Sequence, residues 1–396
     1  MGPNRQRLTP VIIKGDTHMS ISKFLKIGMV GLVVGIATGF ATADDIDLQA
    51  RLEAAEARIA ELSASDSDNW LNDKRAEQIR GLVHDVLADA DTRAMLQGNG
   101  NNPVTVNVHG FLQTSWMYND TKQTGVDSTH GFDIRRARID LSGKVYDWGY
   151  KVQIEADGNG DINLADAYAT WNGFTVGQFK APFMKEVLTS SADLLAVDRS
   201  IISNQFGQGR SQGVQYFYDF GPGSFTGAYT DGFNTANGAG VTNGYALTGR
   251  LDFDATSWLN AGVAVSHNDL NTYTYNTWTA DATVSAGRFD FTGAYVATMD
   301  DTNGDGWGTV WTASYDGGKW KPFVQYEQGH LEGVANNLSV VTLGTQYHFN
   351  DNVKWTTDVG YALNSVNGGW DLGRTGWNSS TEDGSILLRT QLQIKF

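Results

Sequence analysis

The chain has 396 residues, no cysteine and a formal net charge of −15, with 29 Lys and Arg against 44 Asp and Glu. The absence of cysteine excludes disulfide bonds and thiol chemistry. A nucleic-acid-binding protein would need a basic face, which this composition does not provide. Beyond the N-terminal region no stretch of about 18 apolar residues occurs, so the sequence does not encode a bundle of transmembrane helices.

Residues 1–43 have the features of a signal peptide. Two lysines precede an apolar stretch over 27–40, and an Ala-Thr-Ala cleavage site follows at 41–43. An uncleaved membrane anchor is the alternative, but the short apolar stretch and the small residues at its end favour cleavage. Met19 would begin a signal of ordinary length, so residues 1–18 are interpreted as a start-site extension, with the true start left open between the first methionine and Met19.

Residues 44–97 have a helical composition. Apolar residues at positions 48, 52, 55, 59 and 62 are spaced alternately four and three apart, which is the seam of a coiled coil. Because the seam covers only about two heptads, an oligomer would have to stabilise it, and a single solvated helix is the alternative. A second helix is predicted after a polar break. The Gly, Asn and Pro residues of 98–103 predict a linker.

From residue 104 to the C-terminus, apolar and polar side chains alternate in sixteen segments, the period expected of β-strands. The connections between these segments are alternately short and long, as in outer-membrane barrels. The predicted strands cover residues 104–118, 131–145, 148–156, 164–171, 174–180, 212–220, 224–231, 243–253, 259–267, 274–286, 289–298, 307–315, 320–330, 338–349, 353–364 and 385–396.

The last strand shows the alternation most clearly. Leu388, Leu392, Ile394 and Phe396 share one face, whereas the residues between them are Arg, Gln and Lys. One apolar and one wet face fit a barrel wall between lipid and water, and aromatic residues near strand ends fit its interfacial girdles. A soluble sandwich is the alternative. The sequence therefore predicts an all-β membrane barrel, namely a 16-stranded antiparallel outer-membrane β-barrel over 104–396. Its predicted location is the outer membrane of a Gram-negative-type bacterium, with the helical, coiled-coil segment 44–97 in the periplasm.

Six short stretches in the first half of the barrel carry a family resemblance. They are GFDIRRAR at 131–138, LADAY at 164–168, VGQFKAPF at 176–183, LTSS at 188–191, DRS at 198–200 and GRSQG at 209–213. In this order and spacing they resemble the phosphate-selective porin O and P family. The resemblance covers about a fifth of the chain and implies a homotrimer of sixteen-stranded barrels.

The resemblance also implies that the third long loop, residues 181–211, folds inward and narrows the pore. This loop is the longest connection and is rich in apolar residues, which an aqueous loop would not carry. Family members select anions with Lys and Arg at the constriction. Carried over to this chain, the predicted pore-lining and constriction residues are Arg136, Arg138, Lys180, Lys185, Arg199 and Arg210, together with Asp166 and Tyr168.

The net charge of the barrel argues against strong selectivity for phosphate. The alternation predicts that Arg136 and Arg138 lie on the face of the strand that points into the lumen. A guanidinium group suits phosphate-like oxyanions because its planar fork binds two oxygens. However, residues 104–396 contain 18 Lys and Arg against 30 Asp and Glu, a net charge of −12. A general diffusion pore is therefore favoured over a phosphate-specific one. A wall salt bridge is the alternative role for each arginine.

Two other motifs in the sequence match known sites in part. Asp301, Asn303 and Asp305 match the first half of a calcium loop, but the twelfth position is Thr312 instead of Glu, so only weak Ca²⁺ binding in an external loop is predicted. Residues 209–213 match the G-x-S-x-G pattern of hydrolases without its strand-to-helix context. No catalytic residues and no other cofactor are predicted, and the chain is not expected to be an enzyme.

The sequence thus predicts a passive porin for small hydrophilic solutes and ions, with a preference for anions such as phosphate implied by the resemblance. Small anions, outer-membrane lipids and two further copies of the chain are the expected partners. An outer-membrane structural protein is the alternative function. In that case residues 44–97 would bind peptidoglycan or another envelope partner.

Overall fold

The computed structural model describes residues 104–158, 160–237, 244–271, 273–300 and 302–396. The predicted signal peptide at 1–43, the coiled coil at 44–97 and the linker at 98–103 lie outside these residues. No helix in the described part of the chain is long and apolar enough to cross a membrane.

Sixteen antiparallel strands form one closed barrel in which each strand pairs with its neighbours in sequence and β1 pairs with β16. The strands are β1 Val104–Asp120, β2 Thr129–Val145, β3 Trp148–Ala156, β4 Ile162–Trp171, β5 Phe174–Lys180, β6 Arg210–Asp219, β7 Gly223–Thr230, β8 Tyr245–Thr256, β9 Leu259–Asp269, β10 Thr274–Ala286, β11 Phe289–Met299, β12 Gly306–Tyr315, β13 Trp320–Leu331, β14 Leu338–His348, β15 Val353–Ala362 and β16 Ile386–Lys395.

The predicted sixteen-stranded barrel is confirmed. The ends of the strands differ from expectation by a few residues, most at β8, which continues past Phe253 to Thr256. Short turns join the strands at one end of the barrel and long connections join them at the other. Periodicity located the strands because each has to present one apolar and one polar face.

The outer face of the barrel wall carries exposed apolar side chains. Phe132 is 84% exposed on β2, Val265 is 63% exposed on β9, and Leu343 is 59% exposed on β14. Aromatic rings pair across neighbouring strand ends, as Trp148 does with Trp171 at a centroid distance of 5.6 Å. So much exposed apolar surface suits hydrocarbon, not water, and the paired rings fit the interfacial girdle of a membrane barrel.

A second apolar surface lies inside the barrel. Phe183, Met184 and Ile202, from the connection between β5 and β6, are almost completely buried. They pack in one cluster with inward-facing wall residues such as Val296 and Leu338. This part of the lumen is therefore a packed core, and water-filled space is confined to the rest of the cross-section.

The C-terminal residue completes the closure of the barrel. The Phe396 amide donates to the Gly110 carbonyl at 3.0 Å, and the Gly110 amide donates to the Phe396 carbonyl at 2.8 Å. The Phe396 ring covers Gly110 so closely that a Cβ atom at position 110 would collide with it. A side chain here would have to displace the ring that seals β1 against β16, and it would also collide with the backbone carbonyl of Arg138 on β2.

We expect Gly110→Val to destabilise the barrel by about 1–3 kcal/mol through overpacking. Heat-modifiable migration in detergent gels would show the folded band converting at a lower temperature. Gly131→Val is the matched control, because nothing lies within 4 Å of a Cβ atom at that strand position. Equal melting of the two variants would contradict the proposed role of the Gly110–Phe396 contact.

Candidate pore constriction

Residues 181–209, called the constriction loop from here on, run from β5 to β6 through the lumen. They contain two short helices, α1 Lys185–Leu188 and α2 Ile201–Phe206. Ser200 caps α2 by accepting a hydrogen bond from the Ser203 amide at 3.0 Å. The loop ends at residue 209, not at the expected 211, because Arg210 already pairs with Lys180 in the β-ladder.

Wall side chains satisfy the polar backbone of the constriction loop. Gln346 on β14 donates to the Leu194 carbonyl at 2.7 Å and to the next carbonyl at 2.9 Å. Asp358 on β15 accepts from the Val197 amide at 2.8 Å. Glu327 on β13 accepts from the Ile201 amide at 2.7 Å. Buried backbone groups without partners are costly, so this matching set of wall side chains holds the loop in one position.

A β-bulge in β2 aims two consecutive arginines at the loop. Gln113 of β1 pairs with Arg136 while Thr114 pairs with Ile134, so Arg135 is the extra residue. Both arginines are buried and contact Asp198 of the constriction loop, Arg135 through Nε and Arg136 through Nη2 at 3.2 Å. Strict alternation would point Arg135 into the lipid, so sequence reasoning missed it.

Asp198 is the acidic centre of this cluster. Burial alone would raise its pKa, but the positive charges of Arg136 and Arg135 outweigh burial, and the pKa lies below its ordinary value. A carboxyl group with a lowered pKa contributes stability at every pH above its unfolded value of about 4. The contribution is lost only as the pH falls through the lowered pKa, so the cluster persists under mildly acidic conditions.

Arg138 and Arg210 form ion pairs with wall carboxylates. Arg138 donates through Nε to Glu155 at 2.7 Å and lies over the Phe111 ring at 5.0 Å. Arg210 donates to Asp166 at 2.5 Å. Tyr168, the other predicted residue of β4, is half-buried two positions beyond Asp166. Each of these two arginines is thus neutralised by its own carboxylate partner on the wall.

Lys180 and Arg199 have no such partner. Lys180 Nζ donates to the carbonyls of Val187, Leu188 and Thr189 at 2.7, 3.3 and 3.1 Å. Arg199 Nη2 donates to the same Thr189 carbonyl at 2.7 Å. Among the described residues, no carboxylate oxygen lies within 4.0 Å of the side-chain nitrogens of either residue. Two basic side chains thus converge on the neutral carbonyl oxygen of Thr189.

Lys185 lies in another part of the lumen. Its ammonium group donates to Asn260 on β9 at 2.5 Å and to Thr283 on β10 at 2.9 Å, and Asp281 is 3.9 Å away. The other five predicted cations converge between the loop and β2–β6. The predicted set therefore divides into one cluster of five and one separate lysine.

The predicted calcium loop is only partly described. Asp301 lies outside the described residues. Asp305 accepts from the Asp300 amide at 3.0 Å, and the Asn303 side chain donates to Asp300 at 3.1 Å. Across the described ranges, no group of three or more His, Asp and Glu residues is placed to hold a metal ion. Weak Ca²⁺ binding here stays a prediction.

Ser211 of the G-x-S-x-G match is buried and donates to the Gly232 carbonyl at 2.8 Å.

The segment that contains β1–β10 and the constriction loop has recognisable relatives. Residues 106–287 match the family model described as phosphate-selective porin O and P. This segment is similar to that porin family. The match and the closed barrel support a location in the outer membrane of a Gram-negative-type bacterium and a channel function. No curated protein sequence matches the chain.

Solved porin structures share the fold. An anion-selective porin from Comamonas acidovorans is 16% identical with a TM-score of 0.55, covering 74% of this chain and 99% of its own. OmpF of Salmonella typhi, in complex with daunomycin, is 14% identical with a TM-score of 0.57 over 75% and 99%. The trimer form of OmpT of Vibrio cholerae is 15% identical with a TM-score of 0.53 over 74% and 99%. At these identities the likeness shows the barrel fold.

We expect Asp198→Asn to lower the free energy of unfolding by about 3 kcal/mol, because it leaves the buried Arg135 without its carboxylate and Arg136 with only Glu155, 3.8 Å away. Urea titration of the folded protein in detergent would measure the loss. Asp193→Asn is the matched control on the same loop. Asp193 pairs with Lys395 at 2.7 Å, but its side chain is 60% exposed, so its loss should cost about 0–1 kcal/mol. Equal losses would show that the cluster does not fasten the loop.

Proposed function

We propose that the chain is a passive channel for small hydrophilic solutes that prefers anions at its constriction. The observation that carries the proposal is the convergence of Lys180 and Arg199 on the Thr189 carbonyl. Among the described residues, no carboxylate within 4.0 Å offsets the positive charge of Arg199, whose side chain binds backbone carbonyls and a hydroxyl. A small anion that passes beside Arg199 would be attracted, whereas a cation would be repelled.

The position of these charges explains how a net-negative barrel can favour anions. Charges in a narrow passage interact through a lower effective dielectric constant than charges in bulk water. Acidic residues in the wide vestibules and outer loops are screened over about 8 Å at physiological salt. The constriction can therefore determine selectivity although residues 104–396 carry a net charge of −12.

The pairing pattern also bears on the kind of anion. Arg135, Arg136, Arg138 and Arg210 already contact carboxylates of the protein. Their forks are not free to bind a phosphate group without displacing those partners. This supports a general preference for small anions over a phosphate-specific site. The name of one solved neighbour, an anion-selective porin, agrees with the proposal.

Replacing both Lys180 and Arg199 by Gln should shift selectivity toward cations. The reversal potential under a KCl gradient across a planar bilayer would measure the shift, and Gln retains hydrogen-bond donors for the loop carbonyls. Arg288→Gln together with Lys319→Gln is the matched control, because it removes the same charge from the short turns at the far end of β10 and β12.

An unchanged reversal potential in the double variant, with the channel still conducting, would refute the preference for anions at this position. A shift of equal size in the control would show that total charge, and not the constriction, determines selectivity. Absence of any conductance in the unmodified chain would refute the porin function itself.

We further propose that the channel is a homotrimer. The trimer form of one structural neighbour and the heptad spacing in residues 44–97 support this assembly. Light scattering of the purified protein in detergent should give the mass of three copies. Deletion of residues 44–97 should leave conductance in place, because the barrel closes without them. A monomeric mass for the full chain would contradict the trimer, and loss of conductance on deletion would contradict the separation of roles.

A further inference from the structure

We propose that residues 363–385, called the outer loop here, form a second constriction at the outer mouth of the pore. This loop joins β15 to β16 and is one of the long connections. The inference rests on the proposed channel function, since a constriction matters only where solutes pass. It goes beyond the constriction loop because it assigns a limiting role to a different segment.

The outer loop is packed into the barrel and does not extend into solvent. Val366, Trp370 and Trp377 are 0%, 3% and 6% exposed and belong to the same apolar cluster as the constriction loop. The Trp370 ring meets the Phe206 ring of α2 edge-on at 6.3 Å. Trp377 lies against Gly360 on the inner wall, where a Cβ atom would collide with it. Trp370 thus packs the loop on α2, and Trp377 packs it on the inner wall at β15.

Polar contacts extend the outer loop across the mouth toward β2 and β3. Arg374 pairs with Asp133 of β2 at 2.7 Å and with Asp157, just after β3, at 2.6 Å. Asn378 donates to Thr129 at the start of β2 at 2.7 Å. From the Trp370 contact near β13 to Asp157, the loop spans the sector that runs through β13, β14, β15, β16, β1, β2 and β3.

The edge of the outer loop lies directly outside the constriction. Asp133 precedes Arg135 by two residues on β2, a distance of about 7 Å along the strand. Solutes that approach the cluster around Arg135 from outside must therefore pass the Arg374 edge first. The Arg374 side chain is 31% exposed, so it borders the remaining opening.

The three charges at this edge allow fastening and electrostatics to be separated. Arg374→Gln and the double variant Asp133→Asn with Asp157→Asn remove the same two ion pairs. The first removes one positive charge from the mouth, and the second removes two negative charges. Loosening of the outer loop should therefore raise the conductance of both variants. The net charge at the mouth, in contrast, changes in opposite directions in the two variants.

Single-channel conductance in planar bilayers, with polyethylene glycols of increasing size as blockers, would test the proposal. Both variants should conduct more than the unmodified chain and admit larger polymers. Their reversal potentials should move in opposite directions, toward cations for Arg374→Gln and toward anions for the double variant. Lys122→Gln is the matched control, because Lys122 is an exposed cation of another outer loop that pairs only with Asp120 among the described residues.

Unchanged conductance and polymer cut-off in the double variant would overturn the outer constriction, as would an equal rise in conductance in the Lys122 control. The double variant keeps the test decisive if Arg374→Gln does not fold. If the unmodified chain conducts and both variants behave as it does, only the outer constriction is refuted. An unmodified chain that does not conduct refutes the proposed function, and the outer constriction with it.

Discussion

The structure depends on the need to bury a polar backbone inside a barrel. Residues 181–209 leave the wall and cross the lumen, where their amides and carbonyls lose bulk water. Wall residues from β13 to β16 supply the missing partners, with Gln346, Asp358 and Glu327 aimed at specific backbone atoms. Apolar contacts alone would hold such a loop loosely, because they have no direction. Hydrogen bonds to buried groups fix its position, since any other position would leave those groups unsatisfied.

The same requirement determines where net charge remains. Where the loop meets β2 with a carboxylate, as at Asp198, the wall arginines are neutralised and become structural. Where the loop offers the carbonyls that end α1, Arg199 binds neutral oxygens and no carboxylate among the described residues pairs with it. An ion pair contributes little field at a distance, whereas a cation held by carbonyls contributes its full charge. Selectivity would then depend on the kind of acceptor that each cation finds at the constriction, more than on the number of basic residues.

Period and turn spacing were sufficient to predict every strand, because each strand has to separate lipid from a polar interior. They could not predict the bulge in β2. One inserted residue changes which side chains of the strand face the lumen, and nothing in the composition indicates it. Arg135 was missed for this reason, and Arg136 was assigned to the lumen without its partner Asp198. The apolar residues of 181–211 did reveal an inward loop. Those of the outer loop, two tryptophans among many glycines and serines, resemble a solvent-exposed connection in sequence and pack inward only because α2 offers them a surface.

The two inward loops form one continuous layer, and this has a consequence for how the pore can respond to change. Trp370 lies on Phe206, and the Asp371 amide donates to Gln205 of α2 at 2.7 Å. The outer loop thus covers the helix whose first amides are held by Glu327. A displacement of α2 would disturb contacts at the mouth, and a displacement of the mouth would expose the apolar face of α2 to water. Packed layers of this kind resist small continuous shifts, because rearrangement requires many contacts to break together. The passage beside the layer is therefore expected to have a fixed width, as befits a diffusion channel.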